Sequence, residues 1–238
     1  MILLFFLLLI ATPQQLSNHQ RAEFIVWNVG QGSWSTWIKD QECHHIDMGG
    51  ELSQIKKATH VCGHRKNFIY ITHLDWDHIN QIRRFFKQSP HSCLMPYPVI
   101  EKKSRPQQWL KNIPTCLTQN SSSIQLIHQP FLPKTRNQAS WIYKIKKRAL
   151  ISGDSPISEE KKWAHKITEP IDVLLLGHHG SYTSTSTYLL DQSKPKMAIA
   201  SSRKKRFGHP HQFVIEKLRK RAIPLIKTEE WGNLHFEF

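Results

Sequence analysis

Three observations predict a mixed fold, α/β or α+β. Strand-length apolar runs recur in both halves of the chain. Segments with helical apolar spacing fall between them. One run, residues 171–176, is apolar but for Asp172 and reads as a buried strand. Strand-rich halves with intervening helices suggest two sheets packed face to face, with helices outside. The 238 residues accommodate one large domain or two small ones, with ample length for a core.

In order, residues 23–29 and 34–39 read as strands around the turn Gly30-Gln31-Gly32, and 43–46 as a third. A short helix is predicted over 51–58. The apolar stretch Phe68-Ile69-Tyr70-Ile71 places a strand at 68–72, and the chain then turns into a helix over 76–87. Prolines and mixed polarity from 89 to 120 predict a loop-rich insertion, with a short helix near 107–111. Strands follow at 124–128, 141–146 and 149–152. A helix is expected over 158–166, with Ser158 as N-cap. After the buried strand come a helix at 185–190, a strand at 196–200 and a helix at 211–221. Strands near 223–227 and 234–238 complete the series. No internal repeat or low-complexity tract is visible.

The ten residues from Ile2 to Ala11 are uniformly apolar, too few to span a bilayer as a helix. They read as the hydrophobic core of a signal peptide within residues 1–20, leaving 21–238 as the folded domain. A periplasmic or secreted location is therefore expected. The alternative is a short membrane anchor, since no Lys or Arg precedes the apolar run. No later segment reads as transmembrane. The four cysteines, Cys43, Cys62, Cys93 and Cys116, lack the spacing of a zinc knuckle. In an exported protein they permit disulfides of unreadable pairing; Cys93 and Cys116 could equally be buried thiols.

The chain carries 33 Lys and Arg against 18 Asp and Glu, a formal charge of +15. That excess favours a polyanionic partner: DNA, another anionic polymer or an anionic membrane face. The bland alternative is the solubility of a basic protein.

The run His73-Leu74-Asp75-Trp76-Asp77-His78 gathers four metal-binding side chains within six residues, directly after a strand. In an extended exit His73 and Asp75 share a face. Asp77 and His78 fall in the first turn of the next helix and can face back toward them. Such a cluster is unfavourable unless cations neutralise it. The alternative is an Asp N-cap with two incidental histidines. The strand–motif–helix context favours the metal.

This run resembles the metal motif of the metallo-β-lactamase superfamily. Asp75, where that superfamily usually has His, is similar to the subgroup represented by the C-terminal domain of the competence protein ComEC. Other blocks agree in order: Val29-Gly30-Gln31-Gly32, His45-Ile46-Asp47-Met48-Gly49-Gly50, the segment Asn137 to Ser140, Ile151-Ser152-Gly153-Asp154, Gly177-His178-His179-Gly180-Ser181 and Gly208-His209-Pro210-His211. The resemblance covers nearly the whole chain from Glu23. It departs at Ser33 and Asn28, where that subgroup commonly has Asp. The isolated histidine expected before the later Asp has no clear match, since only His91 and His128 lie in that interval.

The resemblance implies a four-layer αββα sandwich of α+β class, with ligands on loops at one edge. It implies six metal ligands: His73, Asp75, Asp77, His78, Asp154 as the bridge, and His178. Two divalent cations follow, Mn²⁺ favoured for the carboxylate-rich set and Zn²⁺ close behind. Two such ions would activate water and stabilise both attacking and leaving oxygens of a phosphoryl displacement, with Asp77 essential to that step. His179 and Ser181 are read as substrate contacts, with a structural hydrogen bond as the alternative for His179. The run Arg203-Lys204-Lys205-Arg206 would attract a phosphate backbone. His209 would protonate the leaving oxygen, or else cap the helix near His211. The expected function is an exported, metal-dependent nuclease acting on DNA, in uptake or degradation. The alternatives are a metallo-hydrolase of a cell-wall polymer or small molecule, and a non-catalytic DNA-binding module.

Overall fold

The computed structural model describes residues 21–99, 105–117 and 123–238. The predicted leader lies outside them. The first half contributes strands β1 (Glu23–Val26), β2 (Ser35–Lys39), β3 (Glu42–Ile46), β4 (Lys66–Tyr70) and β5 (Ser92–Leu94). The second contributes β6 (Ile124–His128), β7 (Ile142–Ile145), β8 (Ala149–Ile151), β9 (Val173–Leu175), β10 (Met197–Ala200), β11 (Leu225–Lys227) and β12 (Leu234–Glu237).

Among the described residues these strands form two six-stranded sheets, β12-β1-β2-β3-β4-β5 and β11-β10-β9-β8-β7-β6. Both are mixed. The pairs β12–β1, β1–β2 and β2–β3 are antiparallel, and β3–β4 and β4–β5 parallel. In the second sheet β6–β7 and β7–β8 are antiparallel, and β8 to β11 parallel. The last strand crosses back to the first sheet, with Phe236 opposite Phe24.

Alternation along each strand builds three apolar layers. Phe24, Val26, Trp37, Ile46 and Tyr70 of the first sheet pack against Tyr143, Ile145, Ile151, Val173, Leu175 and Ile199 of the second. The other face of the first sheet offers Ile25, Ile38 and Ile69 to helices α1 (Ile55–Cys62), α2 (Trp76–Ile79), α3 (Ile82–Gln88) and α4 (Arg105–Leu110). The outer face of the second sheet offers Ile142, Leu150, Leu174 and Ala198 to α5 (Ile157–Trp163) and α6 (Thr187–Ser193). After α7 (Lys204–Phe207), helix α8 (Gln212–Arg219) completes that layer. The result is helix, sheet, sheet, helix. None of the described helices is long and apolar enough to cross a membrane.

Local differences from the sequence expectation have tertiary causes. The helix expected over 76–87 is two helices broken at Asn80 and Gln81. The Asp77 carbonyl accepts from Ser33 N–H, His78 C=O from Met48 N–H, and Gln81 N–H donates to Met48 C=O. These bonds to the two glycine-rich loops replace the helical ladder. The helix expected over 51–58 starts at Ile55 instead, because Glu51 and Leu52 N–H donate to Gln31 and Val29 carbonyls. Strand β5 and helix α7 carry no readable pattern. All four cysteines pair, Cys43 with Cys62 and Cys93 with Cys116, so none is a buried thiol.

Candidate metal centre

The chain leaves β4, β8 and β9 into three short loops that meet at one edge of the sandwich. Two glycines allow the approach. A Cβ at Gly49 would lie 2.5 Å from the backbone of Asp77 and His78. Gly153 has φ +52° and faces Thr72, whose Cβ a side chain there would meet at 2.7 Å. The glycines of the Met48-Gly49-Gly50 and Ser152-Gly153-Asp154 blocks thus let the loops close on the first motif.

Asp154 lies at the centre, 4% exposed. Its Oδ1 faces His78 Nε2 at 3.2 Å and His179 Nε2 at 3.9 Å. Its Oδ2 faces His73 Nε2 at 3.7 Å and His178 Nε2 at 3.6 Å. Asp75 Oδ2 is 3.5 Å from His73 Nε2, and Asp77 Oδ2 is 3.0 Å from His179 Nε2. The carboxylate therefore divides the cluster. One oxygen sits with His73, Asp75 and His178, the other with Asp77, His78 and His179. Two triads, His73/His78/Asp154 and Asp77/His78/His179, have ligand atoms all within 4.8 Å of one another.

The hydrogen bonds fix which nitrogen faces inward. His78 Nδ1 donates to Asp47 Oδ2 at 2.7 Å, and His179 Nδ1 to the Ser201 carbonyl at 3.0 Å. The Thr72 hydroxyl donates to Asp47 and accepts from His73 Nδ1 at 3.1 Å. Each ring thus turns Nε2 and its lone pair toward Asp154. Those nitrogens of His73, His78 and His179, and Asp154 Oδ1, are buried without a hydrogen-bond partner. Four convergent acceptor atoms with no donor fit a cation. Without one, protons would have to neutralise the cluster. Burial opposes charge on His78, but Asp154 and Asp47 outweigh it and raise its pKa well above the ordinary value. Burial likewise opposes ionisation of Asp154, and His78, His179 and His73 hold its pKa well below the usual range.

All six side chains expected as ligands meet here. His179 joins them, although it was expected at the substrate. Adjacent side chains diverge at an extended strand end, but His178 and His179 both adopt left-handed backbone, φ 49° and 57°. That geometry turns both rings inward, at the cost of two consecutive non-glycine residues in left-handed backbone. Ser181 is buried and bonded to the Thr183 hydroxyl at 3.0 Å, and Thr183 in turn bonds His178 Nδ1 at 3.1 Å. It shapes the turn rather than facing a substrate. His91 and His128 belong to neither triad.

His209 lines the cleft above the cluster, its ring 5.9 Å from that of His178. Burial, then the neighbouring His179 and His178, lowers its pKa to about 4. That shift favours the neutral ring at the cleft wall. The helix cap at this turn is His211, whose Nδ1 accepts from Phe213 N–H.

The basic run forms helix α7 and is partly neutralised. Glu51 pairs with Arg203 at 3.1 Å and with Arg206. Burial opposes its ionisation, but the Gln31 N–H bond and the two guanidiniums lower its pKa. Lys204 and Lys205 have no ion pair among the described residues. Some cations elsewhere are matched: Lys144 with Glu169, Arg148 with Asp172, Arg221 with Asp191. Asp47, Thr72, Thr183 and Glu51 carry roles that the sequence reading did not assign. Asp47 and Glu51 stand in or beside the Ile46-Asp47-Met48-Gly49-Gly50 block, which was the signal available.

The fold and the motifs have relatives. No protein-family model matches the chain. ComE operon protein 3 of Bacillus subtilis is 24% identical over 238 residues, 92% of this chain and 30% of that protein. Recombination protein 2 of Haemophilus influenzae is 39% identical over 94 residues, 39% of this chain and 12% of that protein. Competence protein ComA of Neisseria gonorrhoeae is 36% identical over 90 residues, 37% and 13% respectively. The chain spans less than a third of the length of each relative. Among solved structures, the metallo-β-lactamase fold protein YhfI of Bacillus subtilis superposes with a TM-score of 0.57 at 12% identity, covering 91% of this chain and 100% of that one. The metallo hydrolase Igni18 of Ignicoccus hospitalis gives 0.58 at 13% identity, 91% and 99%. A diphosphatase from the PhnP family gives 0.54 at 16% identity, 92% and 98%.

Proposed function

We propose that this chain, which has the metallo-β-lactamase fold, is a metal-dependent phosphodiesterase that cleaves DNA outside the cytoplasm. The observation that carries the reading is the division of six ligand-type side chains by the two oxygens of Asp154. His178 lies on the side of His73 and Asp75, and so supplies the imidazole that the interval before Asp154 lacks. His78 has one free nitrogen and can serve one ion only, so the shared member of the two triads belongs with Asp77 and His179.

Four imidazoles with three carboxylates suit Mn²⁺ and Zn²⁺ alike. Bound there, the ions would supply an activated water and offset charge on a phosphoryl group. The chain's own residues do the rest. Asp47, Thr72 and the Ser201 carbonyl orient the imidazoles, and His209 at the cleft wall is placed to exchange a proton with the substrate. A cleft of about 450 Å³ opens over the cluster, walled in part by Arg206 and His209.

The polyanion reading draws on the charge of +15 and on two of the relatives, whose names speak of recombination and competence. Export draws on the apolar first residues and on two disulfides, which persist in oxidising compartments. The diphosphatase neighbour favours a second reading, hydrolysis of a different phosphoester on the same centre.

The test is incubation of the metal-loaded chain with linear and circular DNA in Mn²⁺, Zn²⁺ and EDTA, beside Asp77→Ala. Cleavage is expected with a metal and none in EDTA or in the variant, with DNA binding largely retained by the variant. Failure of every metal-loaded form to cut DNA, with turnover of a small phosphoester, would select the second reading.

A further inference from the structure

The cleft above the metal cluster has two aromatic side chains in its wall, Trp76 and Phe207. The apolar residues of the first motif part company. Leu74 enters the outer core, whereas Trp76, between the ligand-type Asp75 and Asp77, is 62% exposed. Phe207 ends α7, a helix that buries none of its residues, and is 43% exposed. Neither ring belongs to any of the three apolar layers. The fold therefore does not require either one.

Cations accompany them. The Arg206 guanidinium lies 5.1 Å from the centre of the Phe207 ring, and Lys204 and Lys205 stand on the same short helix. An occupant of this cleft meets metal ligands, the Glu51-paired Arg206 guanidinium, the exposed Trp76 ring and the Phe207 face that Arg206 leaves uncovered. A phosphate beside a planar, weakly polar ring answers them all, which is the chemistry of a nucleotide. Within a duplex the faces of each base are covered by its neighbours. Only an unpaired base, or one turned out of the stack, can present a face to Trp76 or Phe207. A lipid or a polyol phosphate has no such ring.

Building on the proposed phosphodiesterase reading, we infer that Trp76 and Phe207 are base-stacking residues that make the centre select unpaired nucleotides. They set which strand enters; the cluster below acts on its phosphate.

The experiment compares equilibrium binding of three probes to the metal-loaded full chain: a single-stranded oligonucleotide, an abasic strand of equal length, and the duplex. The parent should bind the base-bearing strand about tenfold more tightly than the abasic one. Trp76→Ala and Phe207→Ala should each reduce that ratio severalfold, and Trp76→Phe should restore most of it. A merely structural role would lower both affinities together and leave the ratio alone. Equal parent affinity for the base-bearing and abasic strands overturns the inference, as does an unchanged ratio in both alanine variants. DNA cleavage without base dependence would remove this inference and leave the nuclease standing. If no nucleic acid is bound, both fall.

Discussion

Asp47 and His78 are joined by a 2.7 Å hydrogen bond in the interior, Asp47 Oδ2 accepting from His78 Nδ1. The same carboxylate accepts from Thr72 N–H and the Thr72 hydroxyl. One side chain that does not touch the open cleft thus aims His78 directly and His73 through Thr72. We expect Asp47→Asn to weaken divalent-metal binding by about 10–100-fold. Asn is the informative choice because residue 47 has φ +55°, which Asn tolerates better than Ala. Titration calorimetry with Mn²⁺ and Zn²⁺ reads the affinity, and a melting curve checks the fold. Parent-like affinity would mean that the imidazoles are aimed by packing alone.

A second prediction concerns acid stability away from the centre. Asp172 accepts from Arg148 Nη1 and Lys196 Nζ, each at 2.8 Å. Burial opposes its ionisation, but the two cations outweigh it and lower its pKa. A pKa lower in the folded chain than in the unfolded one, about 3.9 for Asp, stabilises above the unfolded value. That contribution fades as pH falls through the folded value. Asp172→Asn should therefore lose about 1 kcal/mol at pH 7, a Tm drop of roughly 2–4 °C. The drop should shrink toward pH 3. An equal drop at both pH values would assign the effect to packing.

Much of this was legible beforehand for a physical reason. Strand periodicity reports burial directly, so the strands at 124–128 and 149–152 fall within a residue of β6 and β8. The six ligand-type side chains follow strand exits, where sequence neighbours and spatial neighbours coincide. What stayed hidden depends on tertiary contact. The break at Asn80 exists because Ser33 and Met48 take the backbone hydrogen bonds that a continuous helix would make. The inward turn of His179 depends on a left-handed backbone that no periodicity signals. Nor could spacing show that Glu51 reaches across more than 150 residues to Arg203 and Arg206.

That last contact reshapes the expectation for the basic run. Four adjacent cations would each contribute about 0.9 to the log–log salt slope of DNA binding if each met a phosphate. Glu51 already holds Arg203 and Arg206, and the Arg203 N–H is fixed to the Gln31 side chain at 3.2 Å. Lys204 and Lys205 are exposed and free of ion pairs among the described residues. Replacing both with Ala should flatten the slope by up to about 1.8. Glu51→Gln should act in the opposite sense, releasing two guanidiniums toward the cleft and steepening the slope. Fluorescence anisotropy with a labelled oligonucleotide across a salt series reads both. A flatter slope in Glu51→Gln would mean that Glu51 helps binding by holding α7 in place, and that the loop's order matters more than its free charge.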